Sequence, residues 1–206
     1  MADHIDYYFT SVSPFAWLGH NSLREIAERH GKRVRYRPVN LAGVWEMSGS
    51  VPLPKRSPTR QRYRLIELQR IADFRGLTIK TQPKHFPTDP SLADHCVIAL
   101  QERGEDPGPF CFAVGEALWS ADRQIADKDV LAELLGRTGH DAEAVLTAAG
   151  KDETAAIRAQ NTEQAIASDA IGAPCYVYLD EPFWGQDRLE LLDAMIGSGR
   201  RAFKPE

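Results

Sequence analysis

This chain lacks any closely spaced cysteine pair, any long apolar run and any excess of positive charge. Its 206 residues contain three cysteines, Cys96, Cys111 and Cys175. An odd count with no Cys-x-x-Cys excludes a disulfide framework and a dithiol centre, and suits buried free thiols in a reducing compartment. No apolar stretch approaches the roughly 18 residues that a membrane span requires, and the opening Met1-Ala2-Asp3-His4 has neither the basic nor the apolar region of a secretory signal. A cytoplasmic protein is therefore expected, with no membrane partner. Lys and Arg number 25 against 29 Asp and Glu, and the net charge of −4 argues against nucleic acid as a partner. His20, His85, His95 and Cys96 show no zinc-ligand spacing, so no metal is expected.

What is present is a soluble chain with 43% hydrophobic and 26% charged residues, enough to build a core without metals or disulfides. Apolar and aromatic residues crowd His4 to Phe9, as in a strand covered on both faces. Ser13 then offers an N-cap and Pro14 suits a first helical position. Phe15, Leu18, Leu23, Ile26 and Ala27 recur at helical spacing until Gly31 ends the run. Val34 to Val39 reads as a second strand, completing a right-handed βαβ unit. Gly43, Gly49, Pro52, Pro54 and Pro58 predict a long irregular loop over 43–59. Helices are expected from Thr59 to Arg75, after Asp89-Pro90, and over about 108–120, 127–136, 141–149 and 151–169. Cys175 to Leu179 and Pro182 to Trp184 read as strands, and Asp187 to Ile196 as a last helix.

The order βαβ, helices, ββα is that of an α/β thioredoxin-like fold interrupted by a large all-helical insertion. Residues 1–45 and 170–206 are expected to form the thioredoxin-like domain and 46–169 the helical insertion. Such a fold brings together the start of the first helix, the Ile171-Gly172-Ala173-Pro174 turn and the start of the last helix. It also makes the Ala173-Pro174 bond cis, although only about 5–6% of X–Pro bonds are so.

Ser13-Pro14-Phe15, the series Arg60-x-x-Tyr63-x-x-x-Glu67-Leu68-Gln69-Arg70, Gly172-Ala173-Pro174 and Phe183-Trp184-Gly185-Gln186-Asp187-Arg188-Leu189 carry a resemblance. Together, and in this order over almost the whole chain, they resemble the 2-hydroxychromene-2-carboxylate isomerase family. That family is close to the kappa-class glutathione transferases and shares the fold of DsbA-type oxidoreductases, whose reactive cysteine position is here Ser13.

The resemblance implies glutathione as cofactor, a small aromatic carboxylate as substrate, a role in aromatic hydrocarbon catabolism and a homodimer. It makes Ser13 the catalytic residue, holding the glutathione sulfur. The physics allows this role: lowering a thiol from about 8.5 by two units requires about 2.7 kcal/mol. A helix N-terminus supplies roughly 0.3–2 kcal/mol and a hydrogen bond to a charged group about 1.5–3. The resemblance further assigns glutathione binding to Arg60, Tyr63 and Glu67, where the family pattern is Lys, Tyr and Asp, and to Ser50, where relatives often carry asparagine. Ala173, beside Pro174, offers its backbone to the cysteinyl part. Asp187 takes the γ-glutamyl ammonium, and Gln186 with nearby amides takes the adjacent carboxylate.

The residues alone leave simpler readings open. Ser13 could serve only as a cap, Asp187 with Glu190 could form a capping box, and the Arg60–Arg70 series could be a solvated charged face. With Lys55 and Arg56 nearby, that series otherwise reads as a cationic wall for glutathione carboxylates or an acidic substrate. Cys175, following Pro174 where threonine is usual, is expected to be a buried thiol. A glutathione-dependent isomerase is the first functional expectation. A kappa-like glutathione transferase or peroxidase is the second, a disulfide oxidoreductase, disfavoured by the lack of a cysteine at Ser13, is the third, and a non-catalytic glutathione-binding protein is the last.

Overall fold

The first strand, β1 (His4–Phe9), is the centre from which the molecule is built, and the computed structural model describes residues 3–205 around it. It pairs in parallel with β2 (Arg33–Pro38) across α1 (Pro14–Arg29), and antiparallel with β3 (Cys175–Tyr178). Strand β3 in turn pairs antiparallel with β4 (Glu181–Trp184), giving the sheet order β2-β1-β3-β4.

Strand alternation divides the core in two. Ile5, Tyr7 and Phe9 join Tyr36, Tyr176 and the buried face of α1, whereas Tyr8, Cys175 and Val177 point the other way, into a smaller cluster. On the first face Tyr7 stacks on Phe9 at 4.4 Å and on Tyr176 at 5.3 Å between ring centroids. Its hydroxyl donates to the Ala16 carbonyl at 3.2 Å, which fixes the first turn of α1 against the sheet.

The loop expected over 43–59 is in part a helix. Residues Leu41–Ser48 form α2, whose first turn is capped by Asn40 Oδ1 accepting from the Ala42 N–H at 3.2 Å and which ends at Gly49. Val44 packs into the smaller core cluster with Ala165, and this burial outweighs the glycine at 43 that suggested a break. Only the segment with the prolines, including a short 3-10 turn at Leu53–Lys55, stays irregular.

The remaining helices fall close to their expected places: α3 (Pro58–Phe74), α4 (Ser91–Glu102), α5 (Gly108–Trp119), α6 (Lys128–Arg137), α7 (Ala142–Ala149) and α8 (Asp152–Ala167). The last helix begins later than expected. Gln186–Arg188 is a 3-10 turn and α9 runs over Leu189–Ser198, without a side-chain cap. The capping box of Asp187 with Glu190 is therefore not formed, and Asp187 pairs with Arg188 instead. With this correction the chain has the thioredoxin-like fold of DsbA type, its ββα end separated from its βαβ start by helices. No helix among the described residues is long and apolar enough to cross a membrane.

One buried carboxylate binds these parts together. Asp94, fully buried on α4, accepts from the Ser11 N–H at 2.8 Å, the Ser11 hydroxyl at 2.7 Å and the Thr10 hydroxyl at 3.1 Å. From the other side Arg158 of α8 donates to it at 2.8 and 3.1 Å and also reaches the Val39 carbonyl. Burial pushes the Asp94 carboxyl above the usual carboxylate range, while Arg158 and the Ser11 bonds pull it back.

Two consequences can be measured. Asp94→Ala leaves the buried Ser11 N–H and the half-buried Arg158 guanidinium without their carboxylate partner, and urea denaturation should show a loss of about 3–5 kcal/mol. His20 of α1 is buried with Nε2 donating to the Gly108 carbonyl at 2.9 Å. Burial lowers its pKa to about 4, with the Arg24 charge adding to the effect. Between pH 6.5 and 4 the unfolded chain then binds a proton that the folded one refuses, so stability falls with acidification through that window, by roughly 3 kcal/mol in all. A His20→Gln variant should lose most of this slope between pH 6 and 5 in denaturation curves.

Candidate active site

Ser13 sits just ahead of Pro14 in an extended conformation, and its Oγ accepts from the Ala16 N–H at 3.3 Å. This is the capping geometry that the sequence suggests. The hydroxyl proton, however, has no acceptor among the described residues, and Ser13 lines a cavity of about 720 Å³. The helix behind it is 16 residues long, so its N-terminal field is fully developed at this point.

Across the cavity lies the Gly172-Ala173-Pro174 bend, with a cis bond between Ala173 and Pro174. The Ala173 N–H and C=O make no hydrogen bond among the described residues. The bend is held on both sides. The Ser48 and Ser50 hydroxyls donate to the Ile171 carbonyl at 2.8 and 3.1 Å, and the Gly185 N–H donates to the Pro174 carbonyl at 2.8 Å.

Gly185 adopts φ +94°, which a side chain would strain, and a Cβ there would lie 2.4 Å from Asp187 Oδ1. This turn directs Gln186 and Asp187 to the cavity. Gly19 of α1 performs the matching service, since a Cβ there would come within 2.6 Å of the Gln186 Cβ. The turn at 186–188 can thus rest directly on the helix that Ser13 caps.

Ser13, Arg60, Tyr63, Glu67, Ala173, Pro174, Gln186 and Asp187 all line this one cavity. Ser50 does not. Its hydroxyl is occupied with Ile171 and it supports the bend from behind. Arg70 also lies outside, bound to Glu67 at 3.1 Å, and Lys55 is exposed elsewhere. Cys175 is buried on the far face of the sheet and burial drives its thiol up to about 12, so it is no nucleophile.

Among the contributors that escaped the sequence reading are three large side chains. Trp45 lines the cavity from α2, which had been expected as loop, and Phe86 comes from the 75–90 connection, where its bond to Pro87 is cis. Arg64 is the third. It follows Arg60 by four residues, so helical spacing alone could have placed it on the same face.

The charges are unevenly distributed. The carboxylates are taken internally, Glu67 by Arg70 and Asp187 by Arg188. Arg56, Arg60 and Arg64 have no carboxylate partner among the described residues. Arg56 donates from Nε to the Val51 carbonyl at 2.8 Å and lies 5.9 Å from the Trp45 ring centroid. Burial, and then the Arg60 charge, lower its pKa; burial and then the Arg56 charge bring Arg64 to about 10. All three are cations at neutral pH, so the wall favours an anionic ligand. A wider groove of about 1170 Å³ near Arg24 and Arg35 contains none of the expected site residues. Among the described residues no cluster of His, Cys, Asp or Glu is arranged to hold a metal.

A donor hydroxyl at a helix tip, an unpaired backbone edge and a cationic aromatic wall can together hold a small, acidic, partly peptidic ligand and stabilise an anion at Ser13. Known proteins agree with this architecture. The 2-hydroxychromene-2-carboxylate isomerase of Sphingobium xenophagum is 29% identical, over 95% of this chain and 99% of that protein. Glutathione S-transferase kappa 1 of Rattus norvegicus is 24% identical, over 94% and 90%. A solved structure of a 2-hydroxychromene-2-carboxylate isomerase superposes with a TM-score of 0.80 at 24% identity, covering 95% of each chain. The DSBA-like thioredoxin domain family model matches residues 4–197, and the chain belongs to that family.

Proposed function

We propose that this protein is a glutathione-dependent isomerase of aromatic 2-oxo acids of the 2-hydroxychromene-2-carboxylate type. The observation that carries the reading is the Ser13 hydroxyl, whose proton is without an acceptor among the described residues, at the tip of α1 and on the same cavity as the unpaired Ala173 backbone. Full-length similarity to proteins named for this activity supports it.

The residues present fit glutathione. Ala173 can pair through N–H and C=O with an extended peptide, and Gln186 and Asp187 stand on the same cavity to receive the α-carboxylate and ammonium of a γ-glutamyl group. Bound glutathione would supply a sulfur nucleophile whose reversible addition to a conjugated carbon gives a double bond temporary freedom to rotate. Ser13 donates its hydroxyl hydrogen bond to an anionic sulfur, and the N-terminal field of α1 adds to the stabilisation. The arginine wall orients a substrate carboxylate, while Phe15 and Phe86 offer apolar surface to its ring.

A kappa-like glutathione transferase is the second reading, favoured by the kappa-class relatives. A spectrophotometric assay with a hydroxychromene carboxylate separates the two. Turnover with glutathione required but unconsumed is expected for the isomerase, whereas loss of glutathione mole for mole with an electrophile would establish the transferase. Ser13→Ala should lower turnover by about ten- to thousandfold, and unchanged turnover would return Ser13 to a capping role. Asp187→Asn should weaken glutathione in calorimetric titration more than it weakens substrate.

A further inference from the structure

We infer that Arg64 is the specificity residue that selects a carboxylate on a planar aromatic substrate. The inference rests on the reading above for the kind of molecule that enters the cavity, and it names the side chain that discriminates among such molecules.

Arg64 lies on α3 one helical turn beyond Arg60. Its guanidinium carbon is 5.6 Å from the Phe86 ring centroid and 5.7 Å from that of Trp119, and these two rings are themselves 4.9 Å apart. A guanidinium presents an in-plane N–H edge that binds a carboxylate with two parallel hydrogen bonds. No ion pair or hydrogen bond satisfies that edge among the described residues.

The two neighbouring cations are less suited to the task. Arg56 already spends its Nε on Val51, and Arg60 is exposed to solvent, where an ion pair gains little. Arg64 is partly desolvated, which strengthens attraction to an anion, and burial with the Arg56 charge disfavours its cationic form. The carboxylates that could relieve this repulsion from within the cavity are bound to Arg70 and Arg188. An anionic group on the ligand removes the imbalance. The neighbours of Arg64 are the Phe86 and Trp119 rings, and Leu53 and Ile71 add apolar lining to the same cavity, so the group that accompanies this anion is a ring rather than a sugar or a peptide.

Cinnamate and its neutral isostere cinnamamide test the assignment by isothermal calorimetry on the intact protein with glutathione present. The unmodified protein should prefer cinnamate by about tenfold or more. Arg64→Gln should abolish this preference by weakening cinnamate about ten- to hundredfold, with cinnamamide and glutathione affinities and the melting temperature unchanged. Arg64→Lys keeps the charge without the planar edge, and should recover only part of the preference. Equal affinities of the unmodified protein for the two probes, an unchanged preference in Arg64→Gln, or an equal loss of both probes would overturn the inference. If the unmodified protein ignores glutathione yet retains an Arg64-dependent preference for cinnamate, the thiol-dependent reading fails while the role of Arg64 stands.

Discussion

The bonds that Asp94 makes behind the β1–α1 connection are the constraint on which the site depends. Ser13 projects from a short loop, and a loop alone would not hold a hydroxyl to the precision that stabilising an anion demands. Asp94 converts Thr10 and Ser11 into part of the rigid interior, and Arg158 carries the same connection to α8 and to the end of β2. The arrangement places the Asp94 charge fully inside the protein and the Arg158 charge half-buried beside it. Removing one partner therefore costs far more than the pair itself contributes.

From that fixed point the cavity divides by chemistry. One side is backbone and small side chains: the Ala173 edge, Gln186, and the turn set by Gly185. This side can recognise a peptide without depending on residue type. The other side is α3 with Trp45 and Phe86, where aromatic faces and guanidinium groups alternate. That side is suited to charge and planarity. Ser13 lines the same cavity as both, so under the proposed function an anion stabilised by its hydroxyl and by the field of α1 would stand between a peptidic and an aromatic partner.

Much of this was legible in the residues. The apolar pattern of His4 to Phe9, the cap and proline at Ser13-Pro14, and the two late strands after Pro174 prescribe β1, α1, β3 and β4 through local preferences that tertiary contacts reinforce. Eight of the nine expected site residues meet at one cavity. Elsewhere local preference misled. The stretch 41–48 contains Gly43 and precedes several prolines, yet Val44 finds a buried place beside Ala165 and the helix forms. Asp187 with Glu190 has the spacing of a capping box, yet the positive φ of Gly185 makes a 3-10 turn there and gives Asp187 to Arg188.

The sequence by itself determined the order of the strands and of the helices other than α2, the absence of a dithiol centre, and a serine at a helix start, because these follow from residue type and short-range spacing. Only the tertiary structure decided that Asp94 anchors Thr10 and Ser11 from 83 or 84 positions away, that Ser50 supports the bend instead of entering the cavity, and that Arg64 meets Phe86 and Trp119 with no carboxylate to balance it. Such facts depend on which side chains desolvate one another, and desolvation is set by neighbours in space that spacing along the chain does not encode.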